Sequence, residues 1–108
     1  MQRVRVLVVD DEPNARSALS ELLREEGYEV ATARDGVEAL ERIATFRPAV
    51  VLSDIQMPRV TGARAPIVVL MSAYAPSSED SRFFIGKPIG IDELYKTIAA
   101  ASELARAA

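Results

Sequence analysis

Five short apolar runs, rich in β-branched residues, punctuate this chain: Val4–Val9, Tyr28–Ala33, Ala49–Ser53, Ile67–Met71 and Phe83–Ile85. Stretches with helical spacing follow the first, second and last of them. A run of four to six residues with little polar alternation reads as a strand buried on both faces, the habit of parallel sheets. After the first run, Pro13 suits a helix's first turn, and Ala15, Leu19, Leu22 and Leu23 then recur at helical spacing until Gly27 supplies a stop. After the second, Gly36 opens a helical stretch whose core face is expected to carry Val37, Leu40, Ile43 and Ala44, closed by Pro48. After the fifth, Asp92 and Glu93 announce a last helix with Ile91, Leu94, Ile98 and Ala101 on one face. Strand and helix in alternation imply a parallel, doubly wound α/β sheet, and such sheets place their reactive groups beyond the carboxyl ends of the strands.

The polar residues fall at those ends. The first strand stops at Asp10 and Asp11, the third at Asp54, the fourth at Ser72, and the fifth just before Lys87. Composition narrows what they can do. The chain has no cysteine and no histidine, which removes disulfides, thiolate nucleophiles, imidazole bases and the usual zinc ligands. Carboxylate, hydroxyl and lysine chemistry remain. A net charge of -3, with 13 Lys and Arg scattered along the chain, argues against direct nucleic-acid binding. No apolar run approaches the roughly 20 residues of a membrane span, so no membrane association and a cytoplasmic location are expected. At 108 residues with 49% hydrophobic composition, one domain over 1–108 is expected.

Three carboxylates in one crevice disfavour full ionisation unless a cation offsets them, and Mg²⁺ suits such a set because it takes oxygen ligands from one or two carboxylates, waters and phosphate. With a metal in place, the Asp54 carboxylate can attack a phosphoryl donor. Lys87 can pair with Asp54 before transfer and with a phosphoryl oxygen after it, while the Ser72 hydroxyl can donate to another oxygen. Each residue alone has an ordinary structural explanation: acids after a strand form turns or cap helices, a strand-end serine is commonplace, and most lysines are solvated. The ordered set of acidic pair, Asp, Ser and Lys-Pro, each at a strand end, is what singles them out.

The segments Leu7-Val8-Val9-Asp10-Asp11-Glu12, Asp54-Ile55-Gln56-Met57-Pro58 with Gly62, Ser72-Ala73-Tyr74 and Lys87-Pro88-Ile89 resemble the response regulator receiver domain of bacterial two-component signalling systems, over nearly the whole chain. The resemblance implies a flavodoxin-like sheet of order 2-1-3-4-5. It implies Asp54 as phospho-acceptor, Asp11 as a direct metal ligand, Asp10 as a nearby metal-site acid and the Gln56 backbone carbonyl as a third metal contact. It also implies a sensor histidine kinase as phosphoryl donor and a downstream output domain or protein. Ser72 and Phe84, three residues before Lys87, match a pair that moves on phosphorylation in this family, although Phe84 lacks the hydroxyl of the tyrosine often found there. Tyr74 is expected at the rim of the site, and the Lys87-Pro88 bond is expected to be cis, against a base rate of about 5%.

The chain departs from the family between its third and fifth strands. A parallel crossover needs about a dozen residues or more and usually a helix. Only Ala63 to Pro66 remains for a helix after the third strand, and Pro76 to Ser81, within Ala73 to Arg82, has no apolar stripe for the next. The family's third and fourth helices are therefore expected to be missing or unobserved, with apolar sheet surface left uncovered. The flanking residues read as normal family sequence, which favours omitted residues over true deletions. Omission would interrupt the ordinary Cα step of about 3.8 Å near Gly62–Ala63 and within Ser77–Arg82. Unbroken steps would make a homodimer burying that face the leading explanation.

The function read from these residues is a phosphorelay switch that catalyses only its own phosphorylation and dephosphorylation, and is not an enzyme with an outside substrate. Two alternatives stand beside it. A receiver-like interaction module that is never phosphorylated would not need Asp11, Asp54, Ser72 and Lys87 together. An aspartyl-phosphate phosphohydrolase would carry an acid two residues after its nucleophile, where this chain has Gln56.

Overall fold

A computed structural model describes residues 3–55, 65–73 and 83–107. Eight elements follow in the order β1 (Arg5–Val9), α1 (Pro13–Glu25), β2 (Glu29–Ala33), α2 (Gly36–Phe46), β3 (Val50–Ser53), β4 (Ile67–Ser72), β5 (Phe83–Gly86) and α3 (Ile91–Ala107). The strands form one parallel sheet of order β2-β1-β3-β4-β5, the expected flavodoxin-like topology. The expected short crossovers and Cα breaks, and the expected places of Gln56 and Tyr74, fall in 56–64 and 74–82, outside the described residues.

Local chemistry explains the element ends. The Glu12 carboxylate caps α1 by accepting from the Asn14 and Ala15 N–H groups, and Pro13 occupies the first turn, where no N–H is needed. The chain leaves α1 through Gly27 at φ 94°, a left-handed conformation that glycine adopts without strain. Asp35 caps α2 by accepting from the Glu38 N–H, and Arg47 in the left-handed region ends it.

Two apolar layers hold the sheet. On one face Val6, Val8, Val50, Leu52, Val69, Met71 and Ile85 pack against Leu19 and Leu23 of α1 and Leu94, Ile98 and Ala101 of α3. On the other, Leu7, Val9, Ala33 and Val51 meet Ala39 and Ile43 of α2. The interior strands β1 and β3 are buried on both sides, as their unbroken apolar runs require. Among the described residues the second layer is the smaller. Val68, Leu70 and Phe84, which point to that side from β4 and β5, stay only half-buried, while Val69, Met71 and Ile85 on the first side are buried.

The sheet's outer edge at β2 is held from both layers. Glu29 and Ala33 bond inward to β1, so the carbonyls of Val30 and Thr32 face outward. Arg24 of α1 donates to the Val30 carbonyl at 3.2 Å and Arg42 of α2 to that of Thr32 at 3.3 Å.

Two faces were read differently from sequence. In α2 the core side carries Ala39 and Ile43, while Val37 is 71% exposed and Leu40 42%. The stripes 36-39-43 and 37-40-44 lie side by side on the helix, and the small Ala39 side chain allows α2 to sit close to β1 and β2. In α3, Leu94, Ile98 and Ala101 are buried as expected, but Ile91 is 52% exposed because it is the helix's first residue and lies before the part that packs on the sheet. Val37→Lys should therefore change stability by no more than about 0.5 kcal/mol, whereas Ala39→Leu should overpack the sheet side and cost about 1–3 kcal/mol. Urea denaturation of both variants checks this, and a larger loss for Val37→Lys would restore the original assignment.

Candidate functional site

The parallel register builds the site. Val9 lies opposite Ser53, so the residues that follow them, Asp10 and Asp54, emerge side by side, and the Asp54 N–H donates to the Val9 carbonyl at 3.2 Å. Ser72 lies opposite Gly86, and the next N–H, of Lys87, donates to the Ser72 carbonyl at 2.9 Å. Four strand ends thus meet along the carboxyl edge of the sheet, where the sequence placed them.

Asp10, Asp11 and Asp54 each offer a carboxylate oxygen within 4.8 Å of the others. Asp10 is buried, Asp11 exposed and Asp54 between them. Asp10 is anchored through Oδ1, which accepts from the Glu12 N–H at 2.9 Å, and through its carbonyl, which accepts from the Arg16 guanidinium at 2.9 Å. The Lys87 ammonium lies 3.6 Å from Asp54 Oδ2, and the Lys87-Pro88 bond is cis, as expected. Phe84 stands opposite Leu70 on β5, half-buried.

Asp54 Oδ1 is buried and has no hydrogen-bond partner among the described residues. Burial raises the Asp54 carboxyl above its ordinary value of 3.8, an interaction with the Asp10 carboxyl that only a shared proton satisfies raises it further, and the Asp10 and Asp11 charges add to this. Lys87 opposes the shift without cancelling it. A buried carboxylate oxygen without a donor, among three acids and one lysine, fits a hard divalent cation. Three carboxylate oxygens within 4.8 Å of one another are close enough for one small oxygen-seeking ion such as Mg²⁺ to draw on them.

Fold and site together define a doubly wound α/β domain with an acid cluster and a lysine at the carboxyl edge of its sheet. The sequence model of the response regulator receiver domain matches residues 6–99, and the chain belongs to that family. It is similar to the response regulator MprA of Mycobacterium sp. (strain KMS), at 36% identity over 114 residues, covering 90% of this chain and 50% of that protein. This chain therefore spans about half the length of the curated relatives it matches. The matched span of 114 exceeds the 108 residues of the whole chain, so the relative carries positions that this one lacks. Among solved structures it resembles the chemotaxis response regulator CheY4 of Vibrio cholerae, with 27% identity, TM-score 0.77 and coverage of 93% of this chain and 99% of that one. The signal receiver domain of an HD domain-containing protein from Pseudomonas fluorescens Pf-5 shares the fold, at TM-score 0.82 and 20% identity over 99% of this chain and all of that one. No helix among the described residues is long and apolar enough to cross a membrane.

Sequence reasoning missed two contributors. Arg16 was unremarkable on a helix surface, and its reach back to the Asp10 carbonyl appears only once α1 is docked. Ser53 read as the last residue of an apolar strand, yet its buried hydroxyl bonds twice to Ile55.

The raised Asp54 carboxyl fixes the sign of a pH effect. Its neutral form is favoured in the fold, so the stability it contributes is present below its ordinary value and lost as pH rises through the raised one. Asp54→Asn, neutral throughout, should gain in Tm over the metal-free wild type as pH rises from about 4 to 7. A divalent cation should then narrow the gap by stabilising the wild type alone. Parallel melts in chelator across that range check this, and a gap that shrinks with pH would contradict it.

Proposed function

We propose that this chain is a single receiver domain over 1–108 that accepts a phosphoryl group on Asp54 from a sensor histidine kinase and passes the signal on by changing shape, in the cytoplasm. The reading rests on one observation above all: a buried Asp54 oxygen with no donor, placed among Asp10, Asp11 and Lys87. The output is a downstream domain or protein, and the domain acts on no outside substrate.

In this reading Asp10, Asp11 and Asp54, with the Gln56 backbone carbonyl that the family resemblance implies, hold Mg²⁺. When bound, the metal offsets the clustered negative charge and orients the incoming phosphoryl group. An Asp54 carboxylate oxygen forms the new bond to phosphorus as the bond to the donor's leaving atom breaks and its electron pair departs with the donor. Lys87 is already beside Asp54 and moves its pairing to a phosphoryl oxygen, so the ammonium stabilises charge throughout the transfer. Ser72 donates its hydroxyl to another phosphoryl oxygen. Because the Lys87 N–H is bonded to the Ser72 carbonyl, movement at one strand end is coupled to the other, and Phe84, half-buried on β5, is the side chain that follows. Acidic Asp54 neighbours and the Lys87 pair also give an unphosphorylated module no evident use for its unsatisfied oxygen.

Incubation with acetyl phosphate should add one acid-labile phosphoryl group, seen by intact mass, only when Mg²⁺ is present, and Asp54→Ala should abolish it. Labelling of Asp54→Ala at the wild-type rate, or labelling that survives chelation, would sink the assignment. Lys87→Ala should separate binding from switching. Loss of a half-exposed ion pair of about 0.2–1 kcal/mol should leave Mg²⁺ affinity unchanged or up to about fivefold tighter, while the conformational response to phosphorylation weakens. A large fall in Mg²⁺ affinity on calorimetry would instead make Lys87 a residue that shapes the metal site.

A further inference from the structure

The strand that delivers Asp54 ends in a serine whose polar group has no evident reason to be there. Val50, Val51 and Leu52 are buried apolar residues, and Ser53, also 0% exposed, completes the strand with a hydroxyl in their place. Its hydroxyl is fully engaged within one turn: Oγ donates to the Ile55 carbonyl at 2.7 Å and accepts from the Ile55 N–H at 3.1 Å. Both bonds step across Asp54. Together with the ladder bond from the Asp54 N–H to the Val9 carbonyl, they tie down the backbone on both sides of that residue. We infer that Ser53 is a positioning residue, whose hydroxyl holds the Asp54 carboxylate in the acid cluster.

The cluster itself supplies the need. Asp54 is drawn outward by repulsion from Asp10 and Asp11, whose carboxylate oxygens lie within 4.8 Å of its own, and among the described residues the half-exposed Lys87 opposes this. The Asp54 N–H bond to the Val9 carbonyl holds the near side of the residue but leaves its far side to other contacts. The Ser53 hydroxyl supplies the resistance locally, by closing a turn of the kind short hydroxyl side chains make with the backbone two residues on. A displacement of about 1 Å in a reacting group can lower a rate about a hundredfold, so a residue that never touches the reacting atoms can still govern the rate.

This inference rests on the proposed phosphoryl acceptance by Asp54, and the test separates the two. Wild type, Ser53→Ala, Ser53→Thr and Ser53→Cys are labelled with acetyl phosphate at saturating Mg²⁺, well below the Tm of each. Ser53→Ala is expected to be labelled at least about tenfold more slowly. Ser53→Thr, which keeps the hydroxyl, should return the rate to within about twofold of wild type. Ser53→Cys, similar in shape but a weak donor and acceptor, should be slow even if Ser53→Ala does not fold. A purely structural role would lower Tm without changing the labelling rate of the folded protein, and would show no rescue by threonine. Ser53→Ala or Ser53→Cys at the wild-type rate, or Ser53→Thr as slow as the others, overturns the positioning role and leaves phosphoryl acceptance standing. An unlabelled wild type overturns the proposed function, and the inference with it.

Discussion

Like charges held together by a hydrogen-bonded frame are the constraint on which the rest of this molecule turns. The register of β1 against β3 leaves Asp10 and Asp54 no option but proximity, since Val9 and Ser53 are partners and the chain continues from both in the same direction. Repulsion among the acids is then borne by fixed backbone contacts: the Glu12 N–H and Arg16 guanidinium on Asp10, the Val9 carbonyl and the Ser53 turn around Asp54. Lys87 contributes only a partial offset from a half-exposed position. A site built this way is destabilising until something positive arrives, which makes its occupancy a lever on the structure around it.

Much of this was legible in the sequence, for reasons that can be named. Buried parallel strands write themselves as unbroken apolar runs, so β1 and the strand ends at Asp10, Asp54, Ser72 and Lys87 could be read from pattern alone. What resisted reading depended on neighbours distant in sequence. Periodicity could not choose between the stripe of Ala39 and Ile43 and that of Val37 and Leu40, because both repeat helically and differ by a small rotation. Ile91 obeyed the α3 stripe but lay before the part of the helix that packs. The Arg16 and Ser53 contacts depend on backbone atoms, which carry no residue-type signal at all.

The two faces of the sheet are unequal, and the inequality bears on how a signal could leave it. The α1 and α3 side is a continuous core, whereas Leu70 and Phe84 on the α2 side are half-covered next to Ser72 and Lys87. Side chains with fewer packing neighbours change rotamer more easily than those in a dense interior. Movement that starts at the carboxyl edge therefore meets less resistance on that side.

The arginine contacts at β2 occupy the acceptors of an otherwise open strand edge. An open strand edge is a template on which another chain can build, extending the sheet from one molecule to the next. Here the outward carbonyls of Val30 and Thr32 already accept from guanidinium groups brought by helices on opposite faces. A second chain adding a strand at β2 would have to displace both cations. Growth of the sheet in that direction is thus opposed, at the cost of two hydrogen bonds that an incoming strand would have to replace.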